Sequence, residues 1–290
     1  MTAMNSVAIG IFDGVHRGHQ QILAQAAKHG PVTVLTFDPH PTSIFAPERT
    51  PSALVSLEDR ILLLKENGAT EVVVLPFTKE FAAKSPMEFI EEVLVKQLGA
   101  THVTVGANFT FGHKAAGNVE FLKEHAQGFE VSSVHLEENR GSAISSTRIR
   151  TLIVDGDIER ANQLLTRFFY LKGLVVHGEA RGRTIGYPTA NLDLAENATV
   201  PADGVYAGWL TVGDNRWQAA ISVGTNPTFP GVRGRQVEAY AIDQIGLDLY
   251  DQEAKLEIGF RLRDTLKFDG LDPLLVQMKQ DCIQAKALTA

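Results

Sequence analysis

From residue 7 to about residue 165, short apolar runs alternate with amphipathic stretches, and this rhythm constrains the fold more than any other feature of the chain. The runs are "VAIGIF" (7–12), "PVTVLTF" (31–37), "EVVVLPF" (71–77), "THVTVGA" (101–107) and "FEVSSVHL" (129–136). Near-continuous apolar strands belong to a parallel sheet buried on both faces, and parallel neighbours need helical crossovers. "SLEDRILLLKENG" (56–68) and "SPMEFIEEVLVKQLG" (85–99) have helical spacing. The second has Ser85 as N-cap, Pro86 at the first helical position and Gly99 beyond its end.

After "STRIRTLIVDGDIERANQLLTRF", read as two short helices broken at Asp155-Gly156, the rhythm changes. From Phe168 onward come "FFYLKGLVVHG", "YPTANLDL", "GVYAGWLTVGDNRWQAAISVG", "RQVEAYAID" and "AKLEIGFRLR", separated by Gly, Pro, Asn and Asp. "LTVGDNRWQAA" reads as a hairpin turning at Gly213, Asp214 and Asn215, and a helix from Asp272 to Ala287 closes the chain. Strands without intervening helices predict an antiparallel barrel or sandwich. The expected organisation is an α/β parallel-sheet domain over residues 1–167, then an all-β antiparallel domain over 168–290 with a terminal helix.

With 290 residues, 44% of them hydrophobic, the chain can fill two cores. Its single cysteine, Cys282, excludes an intramolecular disulfide or a Cys-rich metal cluster and fits a reducing compartment, so the cytoplasm is expected. No basic-then-apolar leader opens the sequence, and no apolar segment approaches the ~20 residues that span a bilayer, so a soluble, untargeted protein is expected. A formal charge of -7 argues against a nucleic-acid coating surface. Nucleotides remain possible ligands where helix N-termini, arginines or a divalent metal compensate phosphate charge.

The histidines of "VAIGIFDGVHRGHQQIL" (7–23) stand where a strand hands over to a helix. His16 and His19 are close enough in sequence to share a helical face and so to bind zinc, although neither an HExxH pattern nor a cysteine cluster accompanies them. They are equally readable as surface histidines. A third reading follows from their place at the C-terminal end of the first parallel strand, against a helix N-terminus, where phosphates usually sit.

"GIFDGVHRGH" resembles the His-x-Gly-His signature of nucleotidyltransferases, which place and stabilise phosphates during in-line attack without a covalent nucleophile. The resemblance implies a Rossmann-like first domain in which His16 and His19 are catalytic and Gly10, Phe12 and Asp13 lie along ATP. Late in the same domain comes "ISSTRIR" (144–150). Its hydroxyls are ordinary N-cap candidates. Beside the first motif, Ser146, Thr147 and Arg150 read as a second clamp on the triphosphate.

"TFDPHP" (36–41), "VGANFTFG" (105–112) and "ISSTRIR" resemble the adenylyltransferase module of the prokaryotic bifunctional FAD synthetase family. In the second half, "GRTIGYPTANL" (182–192) resembles the riboflavin kinase signature built on Pro-Thr-Ala-Asn. "GVYAGW" (204–209), "SVGTNPTF" (222–229) and "VEAYAID" (237–243) follow in the family's order, so the resemblance runs from about residue 7 to 280. It implies phosphorylation of riboflavin to FMN by a C-terminal barrel of about six strands, and adenylylation of FMN to FAD by the N-terminal domain. ATP is the co-substrate and Mg²⁺ the metal of both steps. Small molecules are then the only implied partners, with no nucleic acid or membrane, and the chain is expected to be a monomer or weak homo-oligomer.

Position by position, the resemblance implies that Thr189 and Asn191 hold ATP and Mg²⁺ and that Glu238 accepts the proton of the riboflavin 5'-hydroxyl. From the residues alone, Glu238 on an alternating strand is equally an outward, solvated side chain. The loop "HGEARGRTIG" (177–186) lacks the Gly-Lys-Ser/Thr ending of a P-loop. Its glycines with Arg181 and Arg183 suit a flap over phosphates, Gly182 and Arg183 touching ATP, or else a plain basic turn. Asn108 matches a family position near ATP. Phe45, Phe89 and Phe111 match positions around the flavin, where a ring can stack on isoalloxazine, although each is also readable as ordinary core. One departure stands out: the family carries a basic residue directly before the I-S-S-T segment, and this chain has Ala143, leaving Arg148 or Arg140 to supply the charge. The alternatives are therefore a riboflavin kinase with weak or absent adenylyl transfer, a nucleotidyltransferase for another phosphate ester, and a flavin-binding protein without turnover.

Overall fold

The computed structural model describes residues 4–135, 138–139, 142–178, 182, 185–224 and 235–290, without the side chains of 138, 139 and 142. The chain forms two compact units, Met1–Thr147 and Arg148–Ala290.

In the first unit, strands β1 (Ser6–Ile9), β2 (Val32–Asp38), β3 (Ala69–Pro76) and β4 (His102–Gly106) follow one another with helices between. Two-residue strands β5 (Thr110–Phe111) and β6 (Gly117–Asn118) form a small ribbon, and β7 (Glu130–Val134) completes a parallel sheet of order β3-β2-β1-β4-β7. Period-two alternation sends Val7, Ile9, Leu35, Phe37, Val103 and Val105 to one face, where they pack with Phe89, Ile90, Val93 and Leu94. Ala8, Val32 and Val34 go to the other, against Ile22 and Leu23 of helix Arg17–Ala26 and Leu63 and Leu64 of helix Leu57–Glu66. Both faces are covered, which is why the strands read as unbroken apolar runs.

The segment expected as one helix over 85–99 starts with a Ser85–Glu88 capping box, then widens into a π-helix over Phe89–Gln97. The first strand ends at Ile9, and "GIF" belongs to the loop that follows. Another two-residue pair, β8 (Glu138–Asn139) and β9 (Ser142–Ala143), precedes helix Ser146–Val154.

The second unit is a closed antiparallel barrel rather than a sandwich. Its strands are β10 (Phe169–Val176), β11 (Ala190–Leu194), β12 (Gly204–Val212), β13 (Asn215–Gly224), β14 (Gln236–Ala241) and β15 (Glu253–Arg263), in the order β10-β11-β14-β13-β12-β15. Closure leaves no strand edge for foreign pairing. Val212 pairs with Asn215, so the hairpin turns on Gly213 and Asp214 alone. The C-terminal helix Leu271–Leu288 is tied to β15 by Asp281, 6% exposed, which takes both Nε and Nη2 of Arg263. Helix Ile158–Leu165 packs on β10 and β15 and so belongs to the barrel unit, although it precedes the change of sequence rhythm at 167/168.

Candidate functional sites

In the first unit the loop between β1 and helix Arg17–Ala26 holds three residues at positive φ: Phe12 (54°), Gly14 (80°) and Val15 (38°). A β-branched residue in that region is strained, and such a backbone persists only when its surroundings fix it. Here they do. Ile11 C=O accepts from Thr36 Oγ1 and from Arg60 Nη1, each at 3.0 Å. Asp13 spends both carboxylate oxygens on Leu54 N–H (3.1 and 3.2 Å), and its C=O accepts from Ser146 Oγ at 2.9 Å. The last bond joins the two motifs, which are more than a hundred residues apart in sequence. Phe12 is fully buried, so only its backbone is available to a nucleotide.

The loop delivers His16 as the N-cap of helix Arg17–Ala26, its Nδ1 accepting from His19 N–H at 3.4 Å. In a neutral ring that acceptor role leaves the proton on Nε2. The His16 and His19 rings stack at 3.6 Å between centroids and 18° between planes. Burial, then the neighbouring His16, holds the His19 pKa well below the usual imidazole value, so the ring is neutral near pH 7. Its buried Nδ1 has no hydrogen-bond partner among the described residues. Asn108 is exposed just past the C-terminal end of β4, at the same end of the parallel sheet. Thr147 is exposed and Arg150 lies on helix Ser146–Val154, in the barrel unit. Ala143 is exposed and Arg148 half-buried, while Arg140 lies outside the described residues.

The three phenylalanines matched to the flavin separate. Phe45 is 65% exposed, its ring 6.5 Å from Phe77. Phe89 and Phe111, at 3% and 8%, are members of the core and contact each other at 5.3 Å, which is the core alternative that their sequence positions left open. A residue that sequence reasoning passed over is Arg60. Its guanidinium is buried, donates to Ile11 C=O and Phe37 C=O, and stands 3.6 Å from Asp38. The available signal was an arginine inside the apolar stripe of "RILLL".

In the barrel, Ala190 pairs with Ala239 and Asn191 with Glu238 across β11 and β14. On β14 the interior positions are Val237, Ala239 and Ala241, so Glu238 points away from the barrel core, yet it is half-buried. Thr189 Oγ1 donates to Glu238 Oε2 at 3.1 Å, and Asn191 Oδ1 beside them is buried, with no partner among the described residues. Thr189 and Asn191 border a cavity of about 1000 Å³ that also takes in Gly178, Gly182, Tyr240 and Tyr250. A β-carbon on Gly178 would collide with the Asn191 amide, so that close approach requires glycine. Arg181 and Arg183 lie outside the described residues.

The arrangement offers two chemistries. Imidazoles at a helix N-terminus suit phosphate charge, and a carboxylate beside a buried amide oxygen suits a hydroxyl nucleophile and a hard cation. Among the described residues no helix is long and apolar enough to cross a membrane.

Known proteins carry the same two-part plan. The FAD synthetase family model matches residues 2–148 and the riboflavin kinase model residues 165–289. A bifunctional riboflavin kinase/FMN adenylyltransferase of Listeria monocytogenes is 37% identical over all of this chain and 94% of its own length. Its Escherichia coli K12 counterpart is 35% identical over 97% of this chain and 91% of its own. A crystal structure of a macrolide-efflux protein from Streptococcus pneumoniae superposes with a TM-score of 0.88 at 36% identity, covering 99% of this chain and 95% of that one. With one family matched on each side of the helix pair and relatives matched end to end, the chain belongs to the bifunctional riboflavin kinase/FMN adenylyltransferase family.

Proposed function

We propose that this chain makes FAD in two ATP-dependent transfers, phosphorylating riboflavin to FMN in the barrel and adenylylating FMN in the α/β unit. The observation that carries the residue assignment is the Thr189, Asn191 and Glu238 cluster at the rim of the barrel cavity. Glu238 takes the proton of the riboflavin 5'-hydroxyl as that oxygen bonds to the γ-phosphorus of ATP and ADP leaves. Thr189 orients the carboxylate by its hydrogen bond, and Gly182 and Arg183 contact the ATP phosphates. Mg²⁺, which takes oxygen ligands and neutralises phosphate charge, would be held by the buried Asn191 Oδ1 and by Thr189 Oγ1.

In the α/β unit an FMN phosphate oxygen bonds to the α-phosphorus of a second ATP and pyrophosphate leaves. His16 offers its Nε2 proton to the phosphates, with neutral His19 stacked against it. The backbone of Gly10, Phe12 and Asp13, together with Asn108, Ser146 and Thr147, frames the nucleotide. Exposed Phe45 is the ring available to the flavin. The chain works in the cytoplasm as a monomer or weak homo-oligomer.

The test is a chromatographic time course of riboflavin, FMN and FAD with ATP and Mg²⁺. The unmodified protein should form FMN, then FAD. His16→Ala should stall at FMN. Glu238→Gln should lose riboflavin phosphorylation by roughly 10²–10⁴-fold while still adenylylating supplied FMN. FMN without FAD from the unmodified protein would point to Ala143 and leave a riboflavin kinase. No product at all would leave a flavin-binding protein.

A further inference from the structure

We propose that the opposite end of the parallel sheet carries a binding site for a late first-row divalent metal ion, made by His29, His102 and Glu130. Three separate segments deliver these side chains. His29 ends the 3₁₀ turn Ala27–His29 that extends helix Arg17–Ala26, His102 opens β4 and Glu130 opens β7. The β4/β7 register places His102 beside Glu130, and β1 places Ser6 on the other side of His102. All of this lies at the N-terminal ends of the strands, whereas His16 follows the C-terminal end of β1. The site is therefore separate from the adenylyl-transfer histidines.

The donor atoms fit. One ligand atom from each of the three residues lies within 4.8 Å of the others. Tetrahedral bonds of about 2.0–2.1 Å put ligand atoms ~3.4 Å apart, so a modest contraction completes the cage. His102 is the fixed member: it is 5% exposed, its Nε2 meets Ser132 Oγ at 2.9 Å, and its Nδ1 faces Glu130 Oε2 at 3.7 Å. A metal-bound imidazole commonly has its second nitrogen held by such a partner, which sets tautomer and ring direction. The other two members can adjust. The Glu130 side chain is 85% exposed, and the ring nitrogens of half-buried His29 meet, among the described residues, a 3.5 Å approach from Gln25 Nε2. The His29 and His102 rings now lie flat on each other, 3.5 Å between centroids and 7° between planes. Ligation by both rings requires the His29 ring to turn out of this stack, so that one of its nitrogens shares the ion with His102 Nδ1 and Glu130. Two nitrogens and one carboxylate leave a fourth position for water and select zinc-like ions over Mg²⁺, which prefers oxygen.

The test is a titration of the full chain with Zn²⁺ against a chromophoric chelator, in excess Mg²⁺. One Zn²⁺ per chain is expected to bind, and Co²⁺ should give visible d–d absorption. His29→Gln and Glu130→Gln should each weaken binding at least tenfold, with far-UV circular dichroism unchanged. The His16→Ala/His19→Ala double variant should keep it. Because Glu130 is exposed, its substitution separates lost ligation from lost folding. Absence of a stoichiometric site in the unmodified chain overturns the proposal. So does binding that survives both substitutions or disappears with His16 and His19.

Discussion

His19 links burial to chemistry most directly. Its folded pKa lies well below the ordinary 6.5 because burial disfavours the cation and His16 adds like charge. As pH falls the unfolded chain therefore binds the proton first. Above about pH 6.5 neither state is protonated and the group contributes nothing to the pH dependence. Below that value stability drains at up to about 1.4 kcal/mol per pH unit, until the folded site protonates as well. His102, lowered chiefly by its own burial, adds to the fall with the same sign. Urea unfolding of the α/β unit should thus weaken between pH 7 and 5, and His19→Gln should make that fall shallower. The barrel phase can be read apart from it, since Trp209 and Trp217 both lie on barrel strands. Equal slopes in the two proteins would show that His19 titrates normally. Gly178 makes a second point: Gly178→Ala should displace the Asn191 amide and raise the KM for ATP of riboflavin phosphorylation, while adenylylation of supplied FMN stays unchanged.

The loop from Gly10 to Val15 has one backbone bond of its own, Val15 N–H to Phe12 C=O at 3.0 Å, and its neighbours hold the rest. Arg60, on helix Leu57–Glu66, binds the carbonyls of Ile11 and Phe37, so Arg60→Leu would take a buried donor from both, leaving Ile11 C=O to Thr36 Oγ1, at a cost of about 1–3 kcal/mol. The α/β unit should lose stability by that order, and the KM for ATP of adenylyl transfer should rise while riboflavin phosphorylation in the same sample stays normal. Unchanged FAD synthesis would remove Arg60 as a positioning residue. Much of the fold was legible beforehand, because five apolar runs with helical spacing between them admit few arrangements other than a covered parallel sheet. The cap at Ser85 and the six barrel strands follow from local chemistry in the same way. The π-helix over Phe89–Gln97 was not legible, since its widened turn keeps the same buried side chains that an α-helix would use. Nor was the choice among Phe45, Phe89 and Phe111, because a phenylalanine looks alike in sequence whether it fills a core or faces a ligand. Arg60 and the His29, His102 and Glu130 group escaped notice because tertiary contacts, rather than spacing, bring their partners together.

The division of the chain also depends on packing more than on rhythm. Strand-rich sequence begins near residue 168, yet the compact unit that holds the barrel begins at Arg148. The reason lies in helix Ile158–Leu165. Asn162 reaches from it to donate to the carbonyls of Ile258 and Gly259 and to accept from Phe169 N–H at 2.6 Å, closing the seam between β10 and β15. Ile158, Ala161, Leu164 and Leu165 on the same helix are all buried. Uncovering an apolar side chain of Leu or Ile size costs about 1.5–3 kcal/mol, and a domain's whole margin is about 5–15 kcal/mol. A fragment of residues 148–290 is therefore expected to fold and to phosphorylate riboflavin, whereas a fragment of 168–290 is expected to melt far lower or not fold. Thermal unfolding of both, followed by the fluorescence of Trp209 and Trp217, decides the matter. Equal melting temperatures would mean that the helix is dispensable and that the barrel is complete from residue 168. A large gap would make the helix part of the kinase module, although its sequence rhythm belongs to the other half.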